Sequence, residues 1–419
     1  MKRIVSLVLA LLLALSVLSL AQAEEQQPVT LRLMAMSTGA GNPEYDAMIA
    51  GFEEQYPWIT IEAEYLGIGD TYANTLTTRL KGNDAPDIFH VGGGRAAVYS
   101  VLPYADAGYI YDLSGFEWAD SVVPQAYHDT WWNGDQLCAV PLQLAPIVVE
   151  YNVDRFNELG LTVPTTMEEF IETGKKAVEQ GQSFIVLSGA HAGHSAHLIL
   201  SIAMSTVYSQ CPDWDDKRNA GEVTFSETEG WHRAFELFME MVEADLFVPG
   251  SEGMSTDDGT SALAFGDGLI RVIPAGNLHI IENLNPDINL STFCMPGETE
   301  ESTYISGMVT DGIAAYSGTE HPEEVALFMD YLVSGGVNLY TDITGNISMA
   351  DLTAGVIKNE KLEPIAYLFN EGRVCDHASS TWESAAAYNT FGKGVQALMT
   401  GLTTIDELLA DMDAAWDAE

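Results

Sequence analysis

From residue 29 the chain places apolar residues at alternate positions. Val29, Leu31, Leu33 and Ala35 are separated by Thr30, Arg32 and Met34, which predicts a half-buried strand. Asn42-Pro43 then reads as a helix start with a polar cap before proline, and Tyr45, Met48, Ile49 and Phe52 follow at i, i+3, i+4 and i+7. Pro57 ends that helix, and Ile59, Ile61, Ala63 and Tyr65 alternate with Thr60, Glu62 and Glu64. Two strands joined through a helix need a crossover connection, so this opening predicts a parallel or mixed α/β sheet.

Further helices are marked by their starts. Thr165-Thr166-Met167-Glu168-Glu169 contains overlapping capping boxes after Pro164, and Thr404 with Glu407 forms another ahead of Ile405, Leu408, Leu409 and Met412. Pro322 opens a helix that carries Val325, Phe328, Met329 and Leu332 on one face. These stripes are read as core, not as binding features. No repeat, low-complexity tract or Pro/Ser-rich linker divides the chain, so two lobes would have to be joined through ordered strands.

The N-terminus adds a targeting signal. Lys2 and Arg3 precede an uncharged apolar run from Ile4 to Leu20, and Ala21-Gln22-Ala23 supplies a signal-peptidase pattern with cleavage expected before Glu24. A membrane anchor is the competing reading, because the run approaches the length of a bilayer span. A lipoprotein would need Cys after the cut, where Glu24 stands, so the mature protein is expected to be exported and free, in the periplasm or outside the cell. The 396 residues that follow Ala23 exceed the usual size of one core and suggest two lobes.

A hydrophobic content of 47% with 10% aromatics supports packed cores and argues against disorder. The net charge of −44, or −46 without Lys2 and Arg3, repels nucleic acid and anionic lipid heads and argues against both as partners. Cys138, Cys211, Cys294 and Cys375 form no C-x-x-C; three complete disulfide pairings are open to them, as is one bridge with two free buried thiols.

Several segments together resemble the family 1 extracellular solute-binding proteins of bacterial ABC importers. Phe52 to Ile61 is similar to the family's "F-x-x-x-x-P-x-I-x-V" helix-to-strand step, and Gly82 to Phe89 to its "G-x-x-P-D-V" segment. Ala139-Val140-Pro141, followed by Tyr151-Asn152, resembles the first crossing strand, and the match continues through Phe156, Gly160-Leu161 and Pro164-Thr165-Thr166. Ala264-Phe265-Gly266-Asp267-Gly268 with Pro274-Ala275-Gly276 resembles "F-x-x-G-x-A-A-M-x-x-x-G". Glu323 to Ser334 and Val395 to Leu409 resemble the family's later helices. Each match alone is weak; their order and spacing over the mature chain carry the resemblance.

The resemblance implies an α/β, two-lobed periplasmic-binding-protein-like fold of type II, with mixed sheets flanked by helices and a three-segment hinge. It assigns 24–140 and 297–343 to the N-terminal lobe, and 141–296 and 344–419 to the C-terminal lobe, after a 1–23 signal peptide. It further implies a monomer that captures a mono- or oligosaccharide by hinge closure and delivers it to ABC permease subunits, without a cofactor and without catalysis.

Candidate ligand residues come from loops at the C-terminal ends of strands, where α/β folds bind. The first loop offers Ser37, Asn42 and Glu44; the second offers His90 and Arg95 around Gly92-Gly93-Gly94. Gln143 follows the first crossing by resemblance, and His191 and His194 lie in a Gly-rich loop after Phe184 to Leu187. Gly276 and Asn277 follow Val272-Ile273, and Tyr388, with Trp382 nearby, falls where a sugar-stacking aromatic is expected. Plainer readings stand beside these. Arg95 could pair with a neighbouring carboxylate, Trp382 and Tyr388 could be helix-face core, and the glycine run reads better as a tight turn than as a phosphate loop, since no Lys-Ser/Thr follows it. Ala145 stands where maltose-binding members carry a ligand carboxylate, and Asn277-Leu278 lacks their Trp, so maltodextrin is disfavoured.

Two other functions compete with this reading. His191, His194 and His197 with many carboxylates suggest a metal or polyamine ligand, but three such histidines fan across a helix in poor geometry for tetrahedral zinc. A secreted glycosidase would need two carboxylates flanking a bond, which 61 acidic residues neither support nor oppose. No G-x-S-x-G, H-E-x-x-H or P-loop appears.

Overall fold

The computed structural model describes residues 27–37, 41–67, 70–82, 84–95, 97–124 and 127–418. The expected signal segment and its cleavage site lie outside the described residues.

The described residues form twelve strands: β1 (Val29–Ser37), β2 (Ile59–Gly67), β3 (Ile88–Val91), β4 (Trp132–Asn133), β5 (Gln136–Leu137), β6 (Val140–Asn152), β7 (Ile185–Val186), β8 (Ile270–Pro274), β9 (Leu290–Phe293), β10 (Ile305–Ala315), β11 (Ile347–Ser348) and β12 (Val374–Asp376). β4 and β5 make a small hairpin; the other ten form one mixed sheet whose main path is β2-β1-β3-β10-β6-β8-β7. β1 runs parallel to both β2 and β3, as the strand–helix–strand opening predicts.

The predicted alternation holds only in part. Leu31 and Leu33 are buried and Thr30 is exposed, but Met34, expected on the outer side, has no exposed surface. β1 is a central strand covered on both faces, and such strands lose the polar side of the pattern. β2 lies at the edge, so Ala63 is exposed where alternation placed it inside. The helix Pro43–Gln55 buries Tyr45, Met48, Ile49 and Phe52 as predicted. Asn42 sits at its N-cap position without capping it; the side chain turns back and donates to the Met36 carbonyl at 2.6 Å. That bond ties the start of the helix to the end of β1.

The other helix starts behave as read. Thr166 accepts from the Glu169 amide while Glu169 accepts from the Thr165 amide at 2.9 Å, and Thr404 with Glu407 forms a reciprocal capping box. All four cysteines are free thiols. Among the described residues no helix is long and apolar enough to cross a membrane.

Two hydrophobic cores result. One gathers β1 to β3, β10 and the first part of β6; the other holds Ile147, Val149, Ile185, much of β8 and residues between Ala378 and Trp416. Ile347, Met349, Leu362, Ile365 and Leu368 join the first core, as do Val248, Leu263, Leu278 and Ile281. Thr292 on β9 donates to the Lys361 carbonyl at 2.5 Å, which docks 360–365 against the sheet.

β6 belongs to both cores. Val140–Pro146 pairs with β10, and Ile147–Asn152 pairs with β8 and β9. At about 3.3 Å per residue its 13 residues run roughly 43 Å. Pro141 and Pro146, which cannot donate to a ladder, lie opposite Gly312 and Gly307, and β10 slips register on both sides of Asp311 between them. The shared strand is therefore broken in its pairing at the place where the two halves meet.

Candidate functional site

That irregular stretch exposes a side chain absent from the predicted set. Asp311 projects from the bulge in β10 with a quarter of its side chain exposed. Gln143, opposite it on β6, donates from Nε2 to Asp311 Oδ2 at 2.9 Å and accepts at Oε1 from Thr344 at 2.7 Å. His90, at the end of β3, brings Nε2 to 3.4 Å from Asp311 Oδ1, and its Nδ1 lies 2.6 Å from the Tyr45 hydroxyl.

The chain of contacts has one consistent protonation. Burial lowers the His90 pKa despite Asp311, and burial raises that of Tyr45 well above the usual phenol range. A neutral imidazole that accepts the Tyr45 hydrogen bond at Nδ1 keeps its own hydrogen on Nε2, which has no hydrogen-bond partner among the described residues. Asp311 is thus held by the Gln143 bond, with the His90 ring close by, while part of it stays accessible.

Aromatic rings and a second carboxylate surround it. Tyr45 packs edge-on against Tyr340 at 5.2 Å and lies 6.1 Å from Tyr65, whose hydroxyl donates to Asp46 at 2.7 Å. Glu44, in the first turn of the helix Pro43–Gln55, has a raised pKa through burial, with Asp311 and Asp46 adding to it. The Tyr99 ring lies 5.9 Å from His90, and burial with the Asp311 charge raises its pKa. The loop that presents Tyr99 is built on the glycine run. Gly92 accepts from the Val101 amide, and Gly94 adopts φ +68° and donates to the Thr130 carbonyl at 2.8 Å. A Cβ on Gly94 would lie 2.1 Å from the Ser380 carbonyl oxygen, so this tight turn also lets the two halves touch.

The facing wall comes from the second half. Tyr388, in the helix Ala385–Met399, is half-buried, and its pKa is raised by burial and by the nearby Tyr99 hydroxyl. Its hydroxyl lies beside Gly193, next to His191, which caps the helix Ala192–Ala203 by accepting from the His194 amide at 3.3 Å. His191, His194, His197 and His377 follow in a row, with ring centroids 4.4, 5.7 and 5.2 Å apart. The row runs from the exposed His191 to the fully buried His377, and burial lowers the pKa of each ring. Among the described residues no group of three or more His, Cys, Asp or Glu side chains is placed to hold a metal ion.

The predicted residues therefore divide. Glu44, His90 and Gln143 converge on Asp311, while Asn42 bonds the Met36 carbonyl and Ser37 ends β1. His191 and Tyr388 meet on the other wall, where His194 is also held by Thr256 at 3.2 Å. Gly276 packs against Asn346, and Asn277 donates to the Pro274 carbonyl at 3.0 Å. Arg95 pairs with Asp106 at 2.6 Å, the plainer of its two readings.

Trp382 has no exposed surface. It packs among Phe225, Trp231, Phe391 and Trp416 and donates from Nε1 to Asp215 at 3.0 Å, so its placement is that of a core residue rather than a stacking platform. Asp311, Tyr65, Tyr99 and Tyr340 were missed. Asp311 had a signal: it is a lone carboxylate in the otherwise uncharged run Ile305–Ala315.

This chain is 22% identical over 387 residues to the multiple sugar-binding protein of Streptococcus mutans, covering 87% of each. Among solved structures, a chitin oligosaccharide binding protein superposes with a TM-score of 0.78 at 15% identity, covering 93% of this chain and 98% of the other. A sugar transporter protein from Bacillus licheniformis in complex with stachyose gives a TM-score of 0.69 at 19% identity, covering 92% and 98%. At those identities the structures establish the two-lobed fold. The family model for bacterial extracellular solute-binding proteins matches residues 38–337, and the chain belongs to that family.

Proposed function

We propose that the chain is the solute-capturing component of an ABC importer, and that it closes around a neutral mono- or oligosaccharide and hands it to permease subunits in the membrane. The observation that carries the reading is Asp311, held by Gln143 beside His90 and set among Tyr45, Tyr99 and Tyr340, with Tyr388 opposite. Tyrosine rings offer flat faces to the C–H surfaces of a sugar. An oriented carboxylate accepts its hydroxyl hydrogens, and a wrong sugar that leaves such a group unpaired costs about 1–3 kcal/mol per group. The names of the Streptococcus mutans relative and of the solved proteins agree with this ligand class.

Capture and release follow from two halves joined through a strand whose pairing is broken where they meet. A solute that touches both walls favours the closed form by its differential affinity for it, and micromolar binding corresponds to about −8 kcal/mol. No bond in the solute is made or broken. The expected site of work is outside the cytoplasm, as a monomer.

A second reading is a polyamine, favoured by the carboxylates of Glu44, Asp46 and Asp311 gathered on one wall. A thermal-shift screen over neutral saccharides, polyamines and zinc separates the two, because a ligand that binds the native state raises its melting temperature. A shift with a saccharide is the expected result. A shift with spermidine and none with any saccharide would replace the sugar reading.

A further inference from the structure

Beside the cleft floor lies a cavity of about 610 Å³, bounded by the start of the helix Leu278–Leu284, the end of the helix Val337–Thr344 and the docked segment 358–361. Its volume falls within the range of about 300–1,000 Å³ that holds a whole small-molecule ligand. It adjoins the cleft at two points. Thr344 lines the cavity and donates to Gln143, the residue that fixes Asp311. Asn346 also lines it and packs against Gly276, where a Cβ would come within 2.6 Å of Asn346 Nδ2. The strand-end loop marked as ligand-facing from sequence therefore continues directly into this cavity wall.

The wall suits an uncharged, hydroxyl-rich guest. Its two ammonium groups are already neutralised: Lys361 pairs with Glu282, and Lys358 pairs with Asp351 at 2.8 Å. Asp342 and Glu360 leave an excess of carboxylates, which opposes an anionic guest. The Asn346 Oδ1 atom is buried without a hydrogen-bond partner, and such an acceptor is costly unless a ligand donor or water meets it. Burial holds the His279 imidazole below its ordinary pKa, so it faces the cavity uncharged.

We infer that this cavity is a further compartment of the ligand site, receiving the distal units of a neutral oligosaccharide whose proximal unit occupies the cleft at Asp311. The inference rests on the saccharide reading and adds chain length to it. The segment 358–361, docked through Thr292, then acts as a length-specificity element.

Calorimetric titration with sucrose, raffinose and stachyose, and with xylobiose, xylotriose and xylotetraose, tests it on the wild-type chain, on Asn346→Leu and on Asp342→Trp. Asp342 is exposed at the cavity rim, so its replacement narrows the mouth without disturbing the core. In the series that binds, the tetrasaccharide is expected to bind at least about tenfold more tightly than the disaccharide, the worth of one or two hydrogen bonds. Each variant is expected to remove that gain while changing disaccharide affinity less than about threefold. Equal losses for short and long members, or tetrasaccharide binding unchanged in both variants, overturn the compartment but leave the saccharide reading in place. Heat with no member of either series, together with no thermal shift from any saccharide, overturns both.

Discussion

Gln143 and Asp311 face each other across antiparallel strands, and the 2.9 Å bond between them holds the one partly exposed carboxylate in the broken stretch where the two halves join. Asp311→Asn keeps the side-chain shape and removes the charge. Saccharide affinity is expected to fall by about ten- to a hundredfold, the scale of a hydrogen bond to a charged group at about 1.5–3 kcal/mol. Melting temperature without ligand should change little, since the group is not fully buried. Titration calorimetry and a thermal melt read the two effects, and an unchanged Kd would remove Asp311 from the ligand contacts.

Gly94 meets the Ser380 carbonyl across the two halves. Gly94→Ala would put a methyl group 2.1 Å from that oxygen at a residue with φ +68°. Either the turn distorts or the halves separate. Overpacking of this kind costs about 1–3 kcal/mol, so a lower melting temperature and a larger radius of gyration without ligand are expected. A variant that melts and scatters as the wild type does would show that the contact does not constrain the approach.

Much of the fold was legible because the elements carry local signals. The buried stripe Tyr45, Met48, Ile49 and Phe52 follows directly from helical spacing, and the Thr404–Glu407 box from two residues three apart. What failed depended on neighbours far away in sequence. Met34 is buried because β3 and covering layers sit beside β1. The site was legible on the same terms. Loops at strand ends marked Glu44, His90, His191 and Gly276, but Asp311 faces Gln143 only through a register slip that no local pattern shows. Trp382 and Tyr388, six residues apart, could be sorted into core and wall only once the ring of Phe225, Trp231 and Trp416 had closed around the first.

Trp382 and Tyr388 should accordingly answer truncation in opposite ways. Trp382→Ala empties a fully buried site and leaves Asp215 without its indole donor, so a loss of about 3–5 kcal/mol is expected in urea unfolding. Tyr388→Ala removes a half-buried ring at the wall. Its stability cost should be smaller, about 1 kcal/mol, the average for a single substitution, with a clear loss of saccharide affinity. Equal unfolding costs, or full affinity in Tyr388→Ala, would contradict the division into core and wall.

The histidine row gives the protein an acid-sensitive element with a definite sign. Burial holds the His377 imidazole down to about 3, against about 6.5 for an exposed ring. Its Nδ1 accepts from the Ser379 amide at 3.1 Å, and its Nε2 lies 3.2 Å from His197 Nδ1, an arrangement that suits a neutral ring. Below pH 6.5 the unfolded chain takes up a proton that the folded chain refuses. The stability this group contributes is therefore complete above pH 6.5 and is lost as pH falls toward 3, by at most about 1.4 kcal/mol per pH unit. Buried carboxyls work in the other direction: Asp376, pushed up to about 7, and Glu150, pushed up to about 8, both by burial, stay protonated in the fold and weaken it as pH rises from about 4. Only a comparison with a variant isolates the imidazole. His377→Gln keeps a polar acceptor and removes the titration, so between pH 7 and pH 5 it should lose about 2 kcal/mol less stability than the wild type in urea unfolding. Parallel pH profiles for the two proteins would mean that the ring takes up its proton in the folded state, and that the row is not as dry as its packing indicates.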